Sequence, residues 1–167
     1  MSLQILTHQE IAHKIQRIAY QIYESNVDEK EIVVAGIIGT GLEFAKKISR
    51  VLEEITTANI LLCELKMDKK NPLKGVSTSV DKSDYENKSV VLVDDVLNSG
   101  STLIYGVHHF LQVPLKQIKT AVLVNRNHNF AHNCSFRGII LSLISFNSID
   151  PLNNAEEKEA RIGKNNH

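Results

Sequence analysis

Two adjacent carboxylates, Asp94 and Asp95, follow the apolar run Val90-Val91-Leu92-Val93. After Val96 and Leu97 comes the small polar turn Asn98-Ser99-Gly100-Ser101-Thr102, and then an amphipathic segment. Each part has a chemical reading. The apolar run is rich in β-branched residues without alternation, which predicts a strand buried on both faces. Two acids at the C-terminal end of such a strand can accept hydrogen bonds from sugar hydroxyls or help to hold a metal ion. The turn offers backbone N–H groups and hydroxyls where a helix begins, a ready site for an anion. Sugar hydroxyls, metal and phosphate in one place point to a phosphorylated ribose. The bland alternative is a strand whose acids merely cap the next helix.

The elements that must position these residues are legible on either side. Ile11, Ala12, Ile15, Ile18, Ala19, Ile22 and Tyr23 recur at helical spacing, behind a capping box of Thr7 and Glu10. Residues 31–38 predict a buried strand and 39–41 a glycine turn. A second helix follows, with Leu42, Ala45, Ile48, Leu52 and Ile55 on one face and with Thr40 and Glu43 spaced as a capping box. Residues 59–65 and 118–124 predict further strands, and 138–144 is the extended part of an ambiguous stretch. The helix after the acidic pair carries Leu103, Ile104, Val107, Phe110 and Leu111 on one face. Residues 67–88 are polar and aperiodic. A structureless loop of that length usually has a function, so the segment reads as a lid, with Lys69, Lys70 or Lys74 as cations it could bring to a phosphate. Such alternation predicts an α/β fold, a Rossmann-like parallel sheet with helices on both faces and a small C-terminal or hood region. Ligands of such folds gather at the C-terminal ends of the strands, where the loops 36–41, 67–88, 94–102 and 125–132 all fall.

The chain of 167 residues is expected to be one domain, with residues 148–167 a flexible tail. Its length suffices to bury about two-thirds of the unfolded surface without staples. Formal net charge is zero, so no global field draws in nucleic acid or an anionic membrane. Cys63 and Cys134 are too few for a disulfide framework, and His128, His132 and Cys134 lack the second cluster a zinc site needs. No membrane span or leader is evident, so a cytoplasmic location is expected. A Walker-type Gly-Lys-Ser/Thr is lacking, which counts against a P-loop kinase.

The stretch Val-Leu-Val-Asp-Asp-Val-Leu-Asn-Ser-Gly-Ser-Thr resembles the phosphoribosyl-diphosphate (PRPP) signature of type I phosphoribosyltransferases. Gly36-Ile37-Ile38-Gly39-Thr40-Gly41 sits where that family places its pyrophosphate loop. The segment Leu123-Val124-Asn125-Arg126-Asn127-His128 resembles the Leu-Val-Asp-Arg-Gly-His of the pyrimidine-operon attenuation protein, a subgroup with uracil phosphoribosyltransferase activity. The resemblance implies PRPP and a nucleobase, a pyrimidine related to uracil, as partners, Mg²⁺ as cofactor and a homodimer. It implies that Asp94 and Asp95 bind the ribose hydroxyls, directly or through the metal, as the catalytic pair. Asn98, Ser99, Gly100, Ser101 and Thr102 would hold the 5′-phosphate. Ile38, Gly39, Thr40 and Gly41 would face the diphosphate, and Arg126 and His128 the base. Catalytic relatives carry Arg or Lys in the pyrophosphate loop, whereas Ile38 and Thr40 fill those places here. The alternative is therefore a weak or inactive enzyme that senses PRPP or a nucleotide, with RNA as a less favoured partner. Asn98 stands where some purine-specific relatives carry an acid. An amide is no general base, which disfavours purine salvage of that kind.

Overall fold

The computed structural model describes residues 8–68, 71, 74–97, 100–125, 133–136 and 139–145, the last two segments and residues 124–125 as backbone only. Thr7, and with it the first capping box, lies outside the described residues, as do residues 146–167.

The helical spacing near the N-terminus yields α1 (His8–Glu24), whose Ile15, Ile18, Ala19 and Ile22 are buried. Strand β1 (Glu31–Ile37) is buried from Ile32 onward. Helix α2 (Thr40–Ile55) buries Leu42, Phe44, Ala45, Ile48 and Leu52. Strand β2 (Asn59–Met67) follows. Residues 67–88 then depart from the expected loop, because they contain β3 (Val76–Thr78) and the single-turn helix α3 (Lys82–Tyr85). Three residues are too few to show a period, and β3 exists by pairing antiparallel with the end of β2, Thr78 opposite Leu65 and Val76 opposite Met67. Tyr85 anchors α3 and is wholly buried, edge-on to Phe110 at 4.9 Å between ring centroids.

Strand β4 (Ser89–Leu97) carries the acidic pair, α4 (Ser101–Phe110) follows it, and β5 (Gln117–Asn125), β6 (Asn133–Phe136) and β7 (Ile139–Ser145) complete the chain. The seven strands run in the order β3-β2-β1-β4-β5-β7-β6. The inner five, β2, β1, β4, β5 and β7, are mutually parallel, and β3 and β6 close the two edges antiparallel.

The parallel strands explain the unbroken apolar runs, since both faces are covered. Ile32, Val34, Val91 and Val93 pack under α1 and α2 with Ile18, Ile22, Phe44 and Ile48. Val33, Ala35, Val90 and Leu92 point to the other face, with Leu103, Val107 and Phe110 of α4 and with Tyr85.

This topology creates one special place. From β1 the chain moves outward to β2 and β3, then returns to lay β4 on the other side of β1. Between β1 and β4 the connections leave in opposite directions, which makes a switch point where parallel sheets bind ligands. Pairing of β1 with β4 ends at Gly36 opposite Val93. Strand β4 continues beside β5 as far as Leu97 opposite Asn125.

Candidate active site

The acidic pair lies just past the last residue that β4 pairs with β1. It does not end the strand, as expected, but sits within it, because β5 supports β4 through Leu97. Asp94 is 4% exposed, whereas Asp95 is half-buried. Asp94 Oδ1 accepts the N–H of Asp95 at 3.0 Å, which fixes one carboxylate against the backbone of the other.

The loop after β1 approaches from the neighbouring strand. The Ile38 N–H donates to the Leu65 carbonyl of β2 at 2.9 Å, so the chain first leans away from β4. Gly39 then reverses it at φ +105°, a region open to glycine and rarely to other residues. A Cβ at Gly39 would meet nothing within 4 Å. The turn therefore presents bare backbone to open space. Gly41 requires glycine for the opposite reason. A Cβ there would lie 2.9 Å from Asp94 Oδ1, 3.2 Å from Asp94 Cα and 3.3 Å from the Val93 carbonyl oxygen. The first turn of α2 is thus pressed against the carboxylates.

Thr40 is not the N-cap that its spacing to Glu43 predicts. Gly39 is the cap residue, no side chain caps the helix, and Thr40 is the first helical residue. Glu43 instead accepts an ion pair from Lys46 at 2.8 Å. The Thr40 hydroxyl favours the charged form of Asp95. Burial pushes the Asp95 carboxyl up. The Thr40 side chain, the Asp94 side chain and the backbone at Val96 and Asp95 together outweigh it and hold the group below its ordinary value. Asp95 is accordingly an anion at neutral pH.

The other wall is the start of α4. Gly100 caps it in the left-handed conformation, φ 77°, and its carbonyl accepts the Ile104 N–H at 3.0 Å. Ser101 is exposed and Thr102 half-buried in the first turn, where unsatisfied N–H groups and the helix dipole favour an anion. The structure thus brings Asp94, Asp95, Gly100, Ser101 and Thr102 to the C-terminal end of β4, with Ile38, Gly39, Thr40 and Gly41 beside them at the end of β1. Asn98, Ser99, Arg126 and His128 lie outside the described residues, as do Lys69 and Lys70. Lys74 is exposed and pairs with Asp68 at 3.3 Å.

Among the described residues no group of three or more His, Cys, Asp or Glu could hold a metal ion. Two neighbouring carboxylates, one of them held anionic, suit instead a Mg²⁺ that arrives with a phosphate-bearing substrate and keeps several other ligands. Cys63 lies buried on β2. Burial pushes its thiol up to about 11, so it is no nucleophile at neutral pH.

The profile of the phosphoribosyl transferase domain matches residues 1–134. The chain belongs to the phosphoribosyltransferase family. Its relatives include the bifunctional protein PyrR of Bacillus pumilus, 32% identical over 137 residues that cover 74% of each chain. The protein of the same name from Pediococcus pentosaceus is 31% identical over 138 residues, 77% of this chain and 78% of the other. Solved structures agree on the fold. A hypoxanthine-guanine phosphoribosyltransferase from Bacillus anthracis superposes with a TM-score of 0.66 at 20% identity, covering 87% of this chain and 80% of that one. A hypoxanthine phosphoribosyltransferase from Staphylococcus aureus gives 0.62 at 16% identity, over 87% and 77% of the two chains. Family membership accounts for the crevice between β1 and β4. Enzymes of this family generally use Mg²⁺ brought by PRPP, in keeping with the two-carboxylate arrangement. No described helix is long and apolar enough to cross a membrane.

Proposed function

We propose that this chain is a PRPP-dependent nucleobase phosphoribosyltransferase of the cytoplasm that acts on a pyrimidine, uracil first. One observation carries the reading: Asp94 and Asp95 stand beside the phosphate-type turn Gly100-Ser101-Thr102, at the strand pair where the sheet changes direction. The PyrR relatives support the pyrimidine side of it.

In this reading the α4 N-terminus, with Asn98 to Thr102, holds the 5′-phosphate. Asp94 and Asp95 accept hydrogen bonds from the ribose hydroxyls. The diphosphate lies over the open backbone of Gly39. The base, flanked by Arg126 and His128, attacks the anomeric carbon through a ring nitrogen as the bond to diphosphate breaks, with inversion. Mg²⁺ bound with the diphosphate supplies charge neutralisation for the leaving group. The protein contributes alignment, a fixed pair of carboxyl groups with Asp95 anionic beside an oxocarbenium-like ribose, and N–H dipoles for the phosphates.

A second reading rests on its own observation. Residues 36–41 contain no Lys or Arg, and Ile38 and Thr40 are both exposed at the mouth. A pocket that holds ribose 5-phosphate but lacks a cation for departing diphosphate suits a regulator that senses PRPP or a nucleoside monophosphate. RNA is a candidate partner of that form.

Both readings require Asp95. Asp95→Asn removes an anion that accepts ribose hydroxyls, and hydrogen bonds to a charged group are worth about 1.5–3 kcal/mol. Calorimetric affinity for PRPP with Mg²⁺ should fall by roughly 10–100-fold at an unchanged melting temperature. An unchanged affinity removes Asp95 from the site.

A further inference from the structure

The first turn of α2 is sunk into the sheet between β1 and β4, and two glycines admit it. On β1, a Cβ at Gly36 would lie 2.7 Å from the Leu42 Cα and 2.7 Å from the Ala45 Cβ. On the helix, a Cβ at Gly41 would lie 2.9 Å from Asp94 Oδ1 and 3.3 Å from the Val93 carbonyl oxygen of β4. Gly36 and Val93 stand opposite each other, in the last pair that joins β1 to β4. The turn therefore rests on the switch point itself. An added carbon at either glycine forces one side to move. The strand is the stiffer side. Val93 and Asp94 are paired on their far side with Ala121 and Val122 of β5, and Asp94 Oδ1 accepts the Asp95 N–H at 3.0 Å. The helix turn is open on its outer side, where Gly39 and Thr40 are exposed. An added carbon thus lifts the turn, and Gly39 with it, away from the carboxylates.

We infer that Gly41, with Gly36 beneath the same turn, is a specificity-determining residue, which fixes the spacing between the open backbone of Gly39 and the carboxylate pair. That spacing selects a ligand that spans both, a ribose 5-phosphate carrying a diphosphate, over one that fills only the β4 end. The inference rests on the reading of this crevice as a PRPP site. Neither glycine touches a reacting atom in it. Ribose 5-phosphate alone meets Asp94, Asp95 and the α4 N-terminus, which all belong to β4 and the helix after it. Lifting the first turn of α2 leaves that seat in place and misplaces only the diphosphate.

The test is calorimetry of the full chain with PRPP and Mg²⁺ and, separately, with ribose 5-phosphate and Mg²⁺. The unmodified chain should bind PRPP the more tightly. Gly41→Ala should weaken PRPP about tenfold and keep ribose 5-phosphate within about threefold. Glu53→Gly weakens the same helix from an exposed position near its far end and should keep both affinities within about threefold. No binding of PRPP to the unmodified chain overturns the PRPP reading and this inference with it. PRPP bound no more tightly than ribose 5-phosphate overturns this inference alone. So do an unchanged PRPP affinity in Gly41→Ala, equal weakening of both ligands there, and an equal loss of PRPP in Glu53→Gly. Gly36→Ala lifts the turn from its other side and decides the matter where Gly41→Ala does not fold. The same selective loss of PRPP supports the inference, and an unaltered ratio of the two affinities contradicts it. If neither alanine variant folds, the close packing serves stability alone and the inference falls.

Discussion

At the residue scale the crevice has a well-tied acidic pair on β4 and, facing it from residues 36–41, a loop with no Lys or Arg; on the proposed reading these are its ribose and diphosphate ends. Asp94 is held by the Asp95 N–H, and Asp95 is kept ionised. Across from them stands Ile38, an apolar side chain 40% exposed. An exposed isoleucine contributes little to stability, so Ile38→Lys should change it by no more than about 0.5 kcal/mol. It would place a cation beside the departing diphosphate. A charge-assisted contact made in the transition state lowers the barrier, and about 1.4 kcal/mol is tenfold in rate. Pyrophosphate release by Ile38→Lys should exceed that of the parent by roughly tenfold; equal rates would show that the missing cation does not limit turnover. The acidic pair and its turn were legible in the sequence because they are contiguous. The place of Thr40 was not. Its spacing to Glu43 matches a helix cap, while Gly39, at φ +105°, takes the cap position and Thr40 opens the helix.

At the element scale the two ends of the strands have separate duties. Beneath the site, at the N-terminal ends, Asn26 is buried and ties three elements together. Its Nδ2 donates to the Ile22 carbonyl at 2.7 Å, and its Oδ1 accepts from Ser89 Oγ and, at 2.8 Å, from Gln117 Nε2. Asn26→Ala would strand the buried Ser89 hydroxyl, while the half-buried Gln117 amide keeps its bond to the Ser25 carbonyl, at a cost of about 1–3 kcal/mol. Chemical denaturation should show that loss, while affinity for PRPP stays as it was; a matching loss of affinity would show that the ends are coupled.

Helix α4 carries a pH signature of its own. His109 Nε2 is buried without a hydrogen bond among the described residues, and its ring lies edge-on to Phe110. Burial, then Lys82 and His108, lowers its pKa from the ordinary value near 6.5. The unfolded chain therefore binds a proton that the folded chain resists. Stability should fall as pH drops below about 6.5, down to the folded pKa. His109→Leu should flatten the melting temperature between pH 7.5 and 5.5; a slope equal to the parent's would exclude His109 as its source. The three-residue β3 and the one-turn α3 were hidden from the sequence, since each owes its existence to a distant partner. Tyr85, a lone aromatic in a polar stretch, was the one local sign that residues 67–88 pack against the core.

At the scale of the whole molecule, strand order does what no motif does alone. Residues 36–41 and residues 94–97 with 100–102 are far apart in the chain. They meet because β4 inserts beside β1 after the chain has gone out to β3 and back. The alternation of apolar runs and amphipathic segments announced this parallel sheet, and the family profile and the superposed phosphoribosyltransferases agree with it. Base choice was not legible, since Arg126 and His128 are only two polar residues after a strand and no pattern in them specifies a ring. The most direct measurement is pyrophosphate release from PRPP and Mg²⁺ across a panel of nucleobases. Release with uracil above the other bases is the predicted result, slow in the parent chain. A panel with no release from any base, at protein concentrations where PRPP binds, would contradict the enzyme and leave the sensor.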